Sequence, residues 1–165
     1  MRKTAISLAK KYGADPEKAE LAALFHDMYR GVPVDALNYY VRHLGLDKRY
    51  MDNCNLAHGK IAAIIMERDY GIEDQDILNA VSFHTTGRAG MSLLEKVIYI
   101  ADAIEPSRRY PGVEALRDAA DQDLDLACLL SLEHTIEYVR SQGSFLDEDT
   151  LRARDDLRGL REKEK

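Results

Sequence analysis

The 165-residue sequence has no tryptophan, three phenylalanines, four prolines and only two cysteines. Cys54 and Cys128 lie far apart and form no CxxC pair, which excludes a disulfide-stapled scaffold and a cysteine-rich zinc module. They read as reduced thiols, so a cytoplasmic protein is expected. Basic residues are outnumbered by acidic ones, 23 to 29, leaving a formal net charge of −6. That balance gives no global basic footprint for nucleic acid, and an anionic ligand would have to be met by a local cluster of Arg and Lys. No apolar run reaches membrane-spanning length and the N-terminus shows no signal-peptide pattern, so no membrane partner is expected. No part of the chain is compositionally repetitive.

What remains is ordinary globular material, 45% hydrophobic and 32% charged, of a length that suits one domain with a sizeable core. The apolar residues recur with helical spacing and no segment alternates as a strand would. Helices are expected over residues 2–12, 16–30, 34–44, 56–69, 74–85, 93–104, 112–120 and 123–141, with one short helical turn near 47–52. Asp15 before Pro16 is an N-cap and first-turn pair, and Ser92 with Glu95 forms a capping box. Gly13, Gly45, Gly71 and Gly143 mark stops. The fold class is all-α, a single helical bundle over residues 1–146, followed by a charged C-terminal helix or tail over 147–165.

Against this background "AALFHDMYR" stands out, because His26 and Asp27 interrupt a run that should bury its face. His58 in "NLAHGK", His84 in "SFHTTG" and Asp102 in "YIADAIEP" are set in comparably apolar surroundings. His43 reads as a cation at a helix C-terminus, and His134 as an ordinary residue of an amphipathic helix. An unpaired buried carboxylate is expensive, and three imidazoles with two carboxylates converging on one or two divalent cations would remove that cost. Neighbours on an α-helix diverge by about 100°, so His26 would serve one ion while Asp27 bridges toward a second. Mixed nitrogen and oxygen donors point to a transition metal rather than calcium.

"LAALFHDMYR", "NLAHGKIAA", "SFHTTGRAGMSLLEKVIYIADAIEPSRRYPGV" and "LRDAADQDLD" together resemble the HD superfamily of metal-dependent phosphohydrolases, and within it the YqeK family of symmetrical diadenosine tetraphosphate hydrolases. The resemblance runs from Thr4 to about Gly143. It implies that His26, Asp27, His58, His84 and Asp102 are metal ligands. It implies two transition-metal ions, iron foremost and manganese or another as alternatives. It also implies that a metal-bound hydroxide cleaves diadenosine tetraphosphate to two ADP. The family has a further metal-binding His at the start of its first helix. None of the five histidines stands there, so the domain reads as short by about one helical turn at its N-terminus.

A dinucleoside polyphosphate needs local positive charge. Arg30, four residues after His26, is expected on the same helical face, with Arg88, Lys96, Arg108 and Arg109 close in sequence to the other ligands. Asp27, Arg30 and Lys96 are the expected catalytic residues. Arg30, Arg88, Glu105, Arg108 and Arg109 are the expected substrate contacts, Glu105 through a sugar or a water. Two alternatives stay open: an HD phosphohydrolase for another nucleotide or phosphate ester, and a non-catalytic nucleotide-binding helical module. A homodimer is also left open.

Overall fold

Side-chain caps set most of the helix starts. The computed structural model describes residues 1–163, and the last two residues of the expected 147–165 tail lie outside them. Helix α1 spans Arg2–Tyr12, α2 Pro16–Phe25, α3 Val34–His43, α4 Cys54–Tyr70, α5 Gln75–Ser82, α6 Leu93–Ile104, α7 Val113–Gln122, α8 Leu124–Ser141 and α9 Glu148–Lys163, with one 3-10 turn at Lys48–Tyr50. Asp15, Asn53, Asp74, Ser92 and Asp123 each accept backbone N–H groups at the N-terminus of the helix that follows. The Ser92–Glu95 capping box is formed in full. Among the described residues there is no strand, and no helix is long and apolar enough to cross a membrane.

Helix α6 is the hub. Leu94, Val97, Ile98, Ile100 and Ala101 are buried on several faces, and α1, α2, α5, α7 and α8 all pack against it. Helix α4 separates two apolar clusters. Its Ala62, Ala63 and Met66 join the main core, while Ala57, Ile61 and Ile65 join a smaller one with Leu37, Val41 and Tyr50. A helix enclosed on both sides has little use for an amphipathic pattern, which is why Ala57 through Ala63 are buried without interruption. Helix α9 packs on α8, and its Ala153 and Leu157 are part of the main core.

The largest departure from expectation is in α2, which stops at Phe25 instead of running to about Arg30. The Ala23 carbonyl, which a continuing helix would offer to the Asp27 N–H, accepts from His26 Nδ1 at 2.8 Å. Beyond it the chain tightens. The Met28 N–H donates to the Phe25 carbonyl and the Arg30 N–H to the Asp27 carbonyl, each a three-residue step. His26 and Asp27 therefore sit in a turn at a helix end, and the expectation that Arg30 shares a helical face with His26 is overturned with it.

Gly59 lets α4 and α5 approach. A Cβ built there would lie 2.7 Å from the Val81 carbonyl oxygen and 3.0 Å from the His84 ring. Alanine is normally the better helix residue, yet here the backbone clash outweighs the propensity gain. Gly59→Ala should cost about 1–3 kcal/mol, read as a lower thermal midpoint, and should displace His84. An unchanged or raised midpoint would show that the helix end yields freely.

Candidate metal centre and cleft

Three histidines are oriented by the same device. His26 Nδ1 meets the Ala23 carbonyl at 2.8 Å, His58 Nδ1 the Cys54 carbonyl at 2.7 Å, and His84 Nδ1 the Val81 carbonyl at 2.7 Å. A carbonyl only accepts, so each Nδ1 carries a proton, and a ring with that one proton presents a bare Nε2 lone pair. Backbone-fixed tautomers of this kind are how metal-binding imidazoles are held.

The Nε2 atoms converge. Those of His58 and His84 are 2.9 Å apart, and Asp27 Oδ1 lies 3.1 Å from the first and 3.6 Å from the second. Donor atoms of these three residues fall within 4.8 Å of one another. His26 Nε2 stands 3.5 Å from Asp27 Oδ2 and 3.9 Å from Asp102 Oδ1. The ring centroid of His84 is 5.0 Å from that of His26 and 4.8 Å from that of His58. Lone pairs crowded this closely repel unless a cation lies between them. The donor set fits a divalent transition metal, with imidazole nitrogens and a carboxylate able to face two ions.

The electrostatics agree with that use. Burial works to raise the Asp27 carboxyl, but the imidazoles of His58 and His84 against it, with His26 and Arg30 nearby, hold it well below the usual carboxylate range. Burial lowers the His84 imidazole and keeps it neutral, against the pull of Asp27. Both residues are thus in the protonation state a metal ligand needs.

The cluster opens into a cleft of about 680 Å³, lined near it by Arg30, His84, Asp102 and Arg108. Arg30 Nη1 is 3.5 Å from Asp27 Oδ1. Arg108 donates from Nη2 to Asp102 Oδ1 at 2.6 Å and from Nε to the Asp102 carbonyl at 3.0 Å. The structure thus gathers His26, Asp27, His58, His84 and Asp102, with Arg30 and Arg108 beside them.

The other expected contacts stand elsewhere, and none of the four lines the cleft. Arg88 forms a two-pronged ion pair with the buried Glu95, at 2.6 and 2.8 Å. Lys96 pairs with Asp125 at 2.8 Å. Glu105 accepts from Ser107 Oγ at 2.6 Å and from the Met1 ammonium at 2.9 Å. Arg109 is exposed and donates to the Pro106 and Arg108 carbonyls.

Some neighbours of the site carry no sequence signal. Arg117, on α7, donates to the carbonyls of Ile104, Glu105 and Arg108 at 3.1, 2.9 and 3.3 Å, which shapes the loop that presents Arg108. Lys60 is buried, its ammonium 3.3 Å above the Phe83 ring centroid, and burial lowers its pKa to about 8. Thr85 Oγ1 lies 3.3 Å from His84 Nε2. Only Thr85 could have been noticed beforehand, as the neighbour of a candidate ligand.

The HD domain family matches residues 1–107. The symmetrical bis(5'-nucleosyl)-tetraphosphatase of Bacillus subtilis (strain 168) is 40% identical over 89% of this chain and 80% of its own length. The enzyme of the same description from Halalkalibacterium halodurans is 44% identical over 90% and 80%. A crystal structure described as an HD superfamily hydrolase involved in NAD metabolism, from Clostridium acetobutylicum, superposes with a TM-score of 0.90 at 44% identity, covering 96% of this chain and 85% of that one. With the histidine–aspartate cluster at a helix end and an all-helical frame around it, the chain belongs to the HD superfamily, in the branch that holds the symmetrical bis(5'-nucleosyl)-tetraphosphatases.

Proposed function

We propose that this chain hydrolyses diadenosine tetraphosphate symmetrically to two ADP, using two divalent transition-metal ions, iron foremost, in the cytoplasm. The observation that carries the reading is the convergence of His58 Nε2, His84 Nε2 and Asp27 Oδ1 at the wall of a cleft that also holds Arg30 and Arg108. The relatives' activity and the two free cysteines, Cys54 and Cys128, support it.

A divalent cation held by His26, Asp27, His58, His84 and Asp102 would supply Lewis acidity and a lowered pKa for water. The chain's own part is preorganisation. The three Nδ1–carbonyl bonds fix the imidazoles so that no ring must turn when substrate arrives. Asp27 stays ionised and faces His26 through one oxygen and His58 and His84 through the other. Arg108 and Arg30 offset charge on the phosphate oxygens, and Arg108 keeps its aim through Asp102 and the Arg117-held loop. We assign phosphate contact to these two arginines, and a framework role to Arg88 and Lys96, whose charges are engaged by Glu95 and Asp125.

Product chromatography tests the reading. Diadenosine tetraphosphate should give ADP alone, whereas AMP with ATP in equal amounts would overturn symmetrical cleavage. Elemental analysis should find a transition metal in the purified chain. Asp27→Ala should lose most of that metal and lower turnover by a factor of at least about a hundred. Retention of both metal and rate would rule out Asp27 as a ligand.

Replacing Arg108 should matter more than replacing Arg109. Arg108→Ala should lower kcat/KM by about tenfold or more, while Arg109→Ala stays within about twofold, since an exposed cation held only by neighbouring carbonyls contributes little. Equal losses would place both cations on the phosphates.

A further inference from the structure

The turn that leads into α4 has a backbone conformation its sequence does not favour. The Asn53 N–H donates to the Tyr50 carbonyl at 3.3 Å, across Met51 at φ −61° and ψ 141° and Asp52 at φ 58°. This is a type II pattern, whose third residue takes a positive φ and is normally glycine or asparagine. Among the described residues, Asp52 alone has a positive φ without being glycine. Strain of that kind persists only where the surroundings impose it.

Here one side chain imposes it. Asn38, buried on α3, donates from Nδ2 to Asp52 Oδ1 at 2.7 Å and accepts from the Asp52 N–H through Oδ1 at 2.9 Å. The clasp is reciprocal, so it holds both the carboxylate and the peptide of Asp52. Glycine would fit the turn without strain but would offer Asn38 Nδ2 no acceptor, which accounts for an aspartate there. Leu37 and Val41 of α3 also pack with Ala57 and Ile61 of α4. Apolar burial has no direction, however, and the clasp adds one. Neither Asn38 nor Asp52 lines the cleft.

The residues just past the clasp are the part of α4 that serves the site. Asn53 caps the helix by accepting the Leu56 N–H at 3.2 Å. The Cys54 carbonyl accepts from His58 Nδ1 at 2.7 Å, and Cys54 Sγ donates to the Arg30 carbonyl at 2.9 Å. Two residues beyond Asp52, Cys54 thus orients a candidate ligand with its carbonyl and ties down the backbone of Arg30 with its thiol. A shift of the turn would reach both.

We infer that Asn38 is a positioning residue for the metal centre: by clasping Asp52 it sets where α4 begins, and through Cys54 where His58 Nε2 and Arg30 stand. The inference rests on the proposed metal centre and extends its control to α3, a helix that supplies no candidate ligand.

The test is calorimetric binding of Mn2+ to the whole chain stripped by a chelator, with the visible absorption of the Co2+-loaded chain as a report of ligand geometry. Asn38→Leu removes both bonds at similar volume and should weaken Mn2+ binding about tenfold and alter the Co2+ bands. Asp52→Asn keeps the acceptor oxygen and tolerates the positive φ, so it should stay within about twofold and keep the bands. Glycine adopts the Asp52 conformation freely, so Asp52→Gly tests the clasp even if Asn38→Leu fails to fold. It should weaken Mn2+ binding at least about threefold. Wild-type affinity and bands in either Asn38→Leu or Asp52→Gly would overturn the role of Asn38 and leave the metal centre standing. So would a loss in Asp52→Asn as large as theirs. A wild type that takes up neither ion would overturn the metal centre, and the role of Asn38 with it.

Discussion

Three lone pairs aimed at one another are the constraint on which the rest of this structure depends. His58 Nε2, His84 Nε2 and Asp27 Oδ1 come within 2.9–3.6 Å, each ring already committed through Nδ1 to a backbone carbonyl. Such an arrangement costs free energy until a positive charge enters it. The surrounding helices must therefore hold it in place by packing alone. Helix α4 carries His58 between two apolar clusters, and Gly59 admits the end of α5 close enough for His84 to reach across.

Much of the frame was legible in the sequence because it is local. Caps at Asp15 and Ser92 and breaks at Gly13 and Gly71 act within a few residues, and they mark helix limits wherever nothing distant intervenes. The end of α2 was misread because the agent that stops it is a side chain, His26, turning back onto its own helix. Apolar spacing continues through that point, so periodicity carries the helix five residues too far. The candidate ligands could be singled out because polar groups in apolar runs are costly wherever they occur. Their mutual geometry could not, because it belongs to four separate segments.

The cations show where sequence proximity misleads. Arg88, Lys96 and Arg109 are as near to a candidate ligand in sequence as Arg108 is, yet only Arg108 lines the cleft. Arg88 is drawn away because Glu95 caps α6 from a buried position and needs a countercharge. Lys96 lies on the side of α6 that faces Asp125. A charge goes to the partner whose desolvation would otherwise be the more costly, and that partner is invisible without the fold.

The turn at His26–Asp27 also bears on how the chain acquires its stability. Those two donors are neighbours in sequence, so the unfolded chain can offer them together at almost no entropic cost. His58, His84 and Asp102 join them only after three further segments have closed over long loops. A divalent cation held by these residues would act as a removable cross-link between the end of α2 and the end of α6. It would favour the folded chain by mass action, the more so the more tightly the folded state binds it. With such a site, working stability would be set partly from outside, by the concentration of free metal around the protein.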